Sequence, residues 1–247
     1  MNSLFVGAAA LLGLAAVSAA RPPAPAPVPV VVELFTSEGC SSCPAADAVL
    51  RELESTQPVP GAEIIALGEH VDYWNRLGWQ DPFSARAYTA RQGEYAGRFG
   101  SGSYTPQAVV QGRAELVGSR RAVLLAAIGQ AARAPRAQVA LSGGRNGLRV
   151  QVNNLPAGTG AARVLLFITE SGLSTQVGAG ENAGRLLRHA SVVRSLQDLG
   201  PVAADGTFAA APTPAVQPGW QPGQLRAVAV VQAARTGQVV GAAALAL

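Results

Sequence analysis

The sequence has no lysine: all 19 of its Lys and Arg positions are arginine. That excludes Schiff-base chemistry and the lysine of a phosphate-binding loop. The arginines are scattered, with no basic run and no interleaved aromatics. The formal charge of +4 therefore does not gather into the clustered footprint of a nucleic-acid binder, and no nucleic-acid partner is expected. Cysteine and histidine are scarce, with two of each. A structural zinc site usually takes four ligands, and the only residues that could join the cysteines are His70 and His189. Charged residues make up only 14% of the chain and apolar ones 49%, so a core can be built. The length of 247 residues suggests two domains.

The first twenty residues, MNSLFVGAAALLGLAAVSAA, read as a secretory signal. Their apolar run, Leu4 to about Val17, is too short to span a bilayer comfortably. Small residues at Val17-Ser18-Ala19-Ala20 offer a cleavage site. The n-region lacks Lys and Arg, which keeps an uncleaved membrane anchor as the alternative. Either way the body of the protein is expected outside the cytoplasm, periplasmic or secreted, where disulfides persist. No stable membrane insertion is expected after cleavage. Residues 21–29, RPPAPAPVP, form a stiff, extended Pro/Ala linker.

What the sequence does have is VVVELFTSEGCSSCPAAD, from Val30 to Asp47, with both cysteines as a C-x-x-C pair. Val30–Phe35 is β-branched and aromatic, as a buried strand should be. Pro44 suits the first turn of a helix, where its missing N–H goes unmissed. Cys40 and Cys43 therefore sit where a strand ends and a helix begins. The partial positive charge of a helix N-terminus favours thiolate over thiol, the requirement for a redox-active cysteine. Two other readings stay open: a static disulfide, and a soft-metal site made of Cys40, Cys43 and His70. A cysteine–histidine hydrolase has no accompanying oxyanion motif.

Further along, Pro44–Ser55 has helical spacing, with Ala45, Val49 and Leu53 on one face. Ala62–Leu67 reads as a second buried strand that delivers His70 and Asp72 at its C-terminal end. Positions i and i+2 on an extended stretch share a face, so the two could move protons during disulfide exchange or bind a metal. Ser84–Arg98 is a helix. Gln107–Gln111 and Ala114–Val117 are strands, followed by a helix to about Arg133, capped by Ser119 and buried through Val123, Ala127 and Ala131. From Ala134 the chain changes to short strands with turn signals: Gln138–Ser142, Leu148–Asn153, Arg163–Thr169, Leu173–Val177, Leu225–Gln232 and Val239–Leu245. Gly200–Gly223 reads as a long loop. The expected organisation is an α/β domain over 30–134, in the order β-α-β-α-β-β-α, followed by a mostly antiparallel β sandwich-like domain over 135–247.

With the C-x-x-C at the first strand–helix junction and Thr105-Pro106 before the third strand, the first domain resembles the thioredoxin fold. That resemblance implies a cis bond before Pro106, packing of Pro106 against the cysteines, and a Thr105 backbone offered to an extended substrate. It also implies a buried acid on the first strand that helps deprotonate the second thiol. Glu33 is the candidate, though its spacing to Cys40 is one residue longer than usual. The segments ELFTSEGCSSCPAAD, HVDYWNRLGWQDPF, YTPQAVVQGR and GENAGRLLRHASVVR resemble a family of secreted bacterial proteins catalogued as domain of unknown function 1223. The family implies a thioredoxin-like fold but no established reaction. Arg185 and His189 lie in the last of these segments, and either could face the cysteines across the domain boundary and lower a thiol pKa.

The resulting expectation is an extracytoplasmic thiol–disulfide oxidoreductase that needs no cofactor beyond its own cysteines and acts on a protein or peptide thiol or disulfide. Cys40 would attack as thiolate and Cys43 resolve the mixed disulfide. Ser41 and Ser42 would donate to sulfur, and Glu38 would oppose the thiolate. The competing expectation is a peptide- or protein-binding module with a structural disulfide.

Overall fold

The apolar run at Val30 extends into strand β1 (Val28–Thr36), which pairs in parallel with β2 (Ala62–His70) from Val28↔Ala62 to Thr36↔His70. Between them lies α1 (Cys43–Thr56), with Pro44 in its first turn. Then come α2 (Arg86–Phe99), β3 (Gln107–Val110), β4 (Ala114–Val117) and α3 (Arg121–Ala131). This computed structural model describes residues 26–247. The expected signal segment and residues 21–25 of the expected linker lie outside the described residues, and the end of that linker, Val28-Pro29, is already β1.

Alternation along β1 decides which layer each side chain joins. Val30, Val32 and Leu34 pack with Leu50 and Leu53 of α1 and Leu124 and Ile128 of α3. Val31 and Phe35 point to the other face, toward Tyr88 and Tyr95 of α2. Helices thus cover both faces of this part of the sheet. Each fully buried aliphatic side chain contributes about 1.5–3 kcal/mol.

Two helix faces differ from the sequence expectation. In α1 the buried residues are Cys43, Ala46, Asp47, Leu50 and Leu53, and in α3 they are Leu124, Ile128 and Ala131. A strict i, i+4 series drifts around a helix of 3.6 residues per turn, whereas steps of three and four hold one face. Val123 is consequently 48% exposed. Ser119 does not cap α3; the N-cap position is Arg120, with no side-chain cap bond.

The second half holds β5 (Gln138–Gly144), β6 (Gly147–Asn153), β7 (Ala162–Glu170), β8 (Ser174–Gln176), β9 (Leu186–Arg188), β10 (Val192–Pro201), β11 (Phe208–Ala210), β12 (Leu225–Ala233) and β13 (Val239–Ala246). Its longest strands, β7, β10, β12 and β13, join the sheet of the first half, where the sequence suggests a sandwich-like arrangement. A single eight-stranded sheet crosses the expected boundary, in the order β13-β12-β7-β10-β2-β1-β3-β4. The seam is narrow: Val192 pairs with Gly68, whose N–H donates to the Ser191 carbonyl at 2.9 Å. Only glycine fits there, because a Cβ on residue 68 would lie 2.7 Å from the Ala190 carbonyl oxygen. A three-stranded sheet, β11-β6-β5, supplies a second layer, with Val150 and Val152 packed on Val164, Ala229 and Val231. The expected long loop after Gly200 contains β11 and a short 3-10 turn at Pro222–Gln224. The class is therefore mixed α/β, with a large mixed sheet and few helices. Among the described residues no helix is long and apolar enough to cross a membrane.

Candidate functional site

Cys40 lies just before α1 and Cys43 is its first residue, and the two form a disulfide with a Cα–Cα distance of 5.4 Å. The turn between them is held by a Cys43 N–H bond to the Cys40 carbonyl at 3.3 Å. Ser42 Oγ lies 3.5 Å from Cys40 Sγ. Ser41 instead donates its backbone N–H to Glu181 Oε2 at 3.0 Å.

The Thr105–Pro106 bond is cis. Pro106 is buried, and both it and Ala46 of the first turn of α1 border Gly118, where a Cβ would touch Leu34, Ala46 and Pro106. The Thr105 hydroxyl accepts the Trp74 indole N–H at 2.8 Å.

Beside the disulfide the chain assembles a buried polar cluster from both halves. Glu38 accepts from Trp79 Nε1 at 2.8 Å and lies 2.9 Å from His189 Nε2, while its own N–H donates to Asp81 Oδ2 at 2.8 Å. That same Asp81 oxygen lies 2.7 Å from His70 Nδ1. The two imidazoles meet edge to face with centroids 4.8 Å apart, and Phe83 packs on both. Nε2 of His70 and Nδ1 of His189 are buried without a hydrogen-bond partner. Asp47, buried one helical turn after Cys43, accepts from the Thr36 hydroxyl at 3.1 Å.

Burial favours neutral forms and opposes charge here. Burial pulls the His70 pKa down, but the Asp81 carboxylate, helped by Asp47 and Glu38, outweighs it and leaves it raised. Burial pushes Asp81 up, yet the charge and hydrogen bond of His70 hold it below the usual carboxylate range. Asp47 is raised by its burial, although His70, His189 and Thr36 pull the other way.

The disulfide is covered. Cys40 is 1% exposed and Cys43 0%. The cover is the loop between β8 and β9. Its Asn182, itself fully buried, donates to the carbonyls of Glu38 and Cys40, both at 2.9 Å. Arg185 Nη1 in turn donates to Asn182 Oδ1 at 2.6 Å. Trp79 lies under the loop at Gly178 and Gly180.

Of the residues singled out in the sequence, His70, Arg185 and His189 are thus brought to the cysteine site. Asp72 is not: beyond the end of β2 the strand alternation no longer holds, and its carboxylate accepts from Thr89 Oγ1 at 2.6 Å. Glu33 is not either. It lies on the α2 face of β1, opposite α1, where Arg91 Nε donates to it at 2.5 Å and the Tyr95 hydroxyl at 2.6 Å. Glu69 joins that buried group 3.6 Å from Arg91, and its pKa is pushed up by burial and by Glu33. A metal reading with Cys40, Cys43 and His70 meets an oxidised cysteine pair and a histidine engaged by Asp81. Among the described residues no three Cys, His, Asp or Glu side chains are grouped to hold a metal ion.

Asp47, Asp81 and Asn182 escaped the sequence reading. Helical period places Asp47 on the Cys43 face, a signal that was there to use. Asp81 reads locally as a turn before a helix, with nothing to mark its bonds to His70 and to Glu38, 43 positions away, and Asn182 has its partner 142 positions away.

Comparison with known proteins fits this frame. A crystal structure of a structural-genomics target from Agrobacterium tumefaciens is similar over 90% of this chain and 96% of its own, with 28% identity and a TM-score of 0.71. HBP35 of Porphyromonas gingivalis is similar over 91% of this chain and 77% of its own, with 16% identity and a TM-score of 0.58, a likeness of fold alone. No curated protein matches the sequence. A family model described as protein of unknown function, DUF1223, matches residues 31–232, and the chain belongs to that family.

Proposed function

We propose that the protein is an extracytoplasmic thiol–disulfide oxidoreductase whose first half is a thioredoxin-like unit. The observation that carries the reading is the Cys40–Cys43 disulfide at the N-terminus of α1, together with a cis Thr105–Pro106 bond just before β3, the strand paired with β1. In the reducing direction, the Cys40 thiolate attacks one sulfur of a substrate disulfide and expels the other as a thiolate. Cys43, on losing its proton, then attacks Cys40 Sγ and releases the second substrate thiolate. Two electrons pass to the substrate and the internal disulfide re-forms. The helix N-terminus and Ser42 favour the Cys40 thiolate, by roughly 1 kcal/mol each. Access requires the loop carrying Asn182 to move aside.

Burial of both sulfurs favours a second reading, a protein- or peptide-binding module in which the disulfide is structural. One measurement separates the two. Equilibration of the mature protein against glutathione or dithiothreitol buffers is expected to give a reversible couple between about −270 and −120 mV. A potential below about −300 mV, or loss of fold on reduction, would make the disulfide structural.

A further inference from the structure

Three guanidinium groups without a counter-ion line one cleft beside the disulfide. A cavity of about 170 Å³ lies between α1, which lends Pro44, Asp47 and Arg51, and the segment entering and forming β9, which lends Arg185 and Arg188. A second cleft of about 400 Å³ shares Arg51 and Arg188 and continues past Glu54, Ser55 and Ser174; the Glu54 carboxylate accepts from the Ser191 hydroxyl. Arg91, Arg98, Arg121, Arg163, Arg194 and Arg226 each form an ion pair, while the remaining described arginines do not. Arg51, Arg185 and Arg188 are among the unpaired ones, and what sets them apart is that they converge on one cavity. Arg51 donates to the Arg188 carbonyl and Arg185 to Asn182 Oδ1. Each guanidinium carries five N–H donors, so most of their hydrogen-bonding capacity is unused.

The single acid in the smaller cavity, Asp47, is buried and takes its hydrogen bond from the Thr36 hydroxyl, not from any of the three arginines. The cavity also abuts the chemistry. Pro44 follows Cys43 directly, and Arg185 holds the amide of Asn182 that covers Cys40. A group bound here therefore lies alongside the disulfide and against its cover.

We propose that Arg51, Arg185 and Arg188 bind carboxylates of an acidic peptide segment that flanks the reacting cysteine of the substrate. Planar guanidinium forks pair with carboxylates through two parallel hydrogen bonds, which gives geometric selectivity as well as attraction. The 170 Å³ cavity holds one such group, and the adjoining cleft takes the chain that carries it. This assignment of substrate class rests on the oxidoreductase reading. Its recognition part can be measured without the chemistry.

The test compares two cysteine peptides of equal length, one flanked by Glu and one by Gln, in exchange with the protein at low ionic strength. The Glu peptide is expected to react about 10-fold faster, as one or two charge-assisted hydrogen bonds would give. That ratio should fall toward unity in Arg188→Glu and in the milder Arg51→Gln, and with added salt. Equal rates in the wild type, or a preference that survives both substitutions, would overturn the proposal. If neither peptide exchanges at all, the oxidoreductase reading is the one that fails. Calorimetry with the same Glu peptide carrying serine in place of cysteine then decides the recognition. Salt-sensitive binding lost in Arg188→Glu supports the pocket, and no binding overturns it.

Discussion

His70 illustrates how a residue can be prominent in sequence and change meaning in structure. The pairing with Asp72 dissolves because β2 ends at His70, and Asp81 takes its place through a loop that no local pattern announces. Its buried setting gives a pH signature. A histidine whose folded pKa is raised above the ordinary 6.5 adds stability that is fully present below 6.5 and lost as pH rises through the folded value. Asp81, held low by His70, adds stability above its ordinary 3.8 that is lost only as pH falls through its lowered folded value. The pair is therefore strongest between those limits. A His70→Gln variant should lose more stability relative to wild type at pH 5 than at pH 9, measured by urea denaturation at both. An equal deficit at the two values would show that the charge on His70 contributes nothing.

The elements with one dominant local cause were legible. β1 and β2 announce themselves through β-branched runs, the β5–β6 hairpin through its Gly-rich turn, and α1 through Pro44 and its helical spacing. Others were not. β10 is interrupted by register shifts between Val193 and Ser195 and between Asp198 and Gly200, so its polar and apolar residues do not alternate as a strand should. The loop between β8 and β9 was visible only as a turn with polar residues, because its role is fixed by carbonyls more than 140 positions away. That loop is an element with a predicted effect of its own. Asn182→Ala removes both hydrogen bonds to the cysteine turn and leaves two carbonyls and Arg185 without that partner. Reduction of the disulfide by dithiothreitol, followed by thiol trapping, should be about 10-fold faster, as the loss of roughly 1–2 kcal/mol from a closed loop implies. Unchanged kinetics would mean that the loop does not limit access to Cys40.

At the scale of the molecule, the expected boundary near residue 134 was a change in sequence texture, and texture does not reveal which strands share a sheet. The main-chain seam at Gly68 is supplemented by side chains that cross the same divide. Arg91 of α2 donates to Gln232 of β12 at 3.2 Å, and Gln232 donates to the Tyr95 hydroxyl at 2.9 Å. Gln111, just after β3, donates to the Val239 carbonyl at 3.1 Å and accepts from the Val31 N–H at 2.8 Å. Arg91 matters most, because it is the cation between the two buried acids Glu33 and Glu69. Burying ions is costly, and removing one member strands the others, at about 3–5 kcal/mol. Two independent domains would unfold in two steps, whereas a shared sheet with a shared ionic core should unfold in one. Tryptophan reports on both sides of the divide, with Trp74 and Trp79 in the first half and Trp220 buried in the second. Single-tryptophan variants retaining Trp79 or Trp220 should give coincident urea transitions. Arg91→Met should shift both together to lower urea while keeping them coincident. Separate midpoints would divide the chain into two folding units and assign the Arg91 network to the first alone.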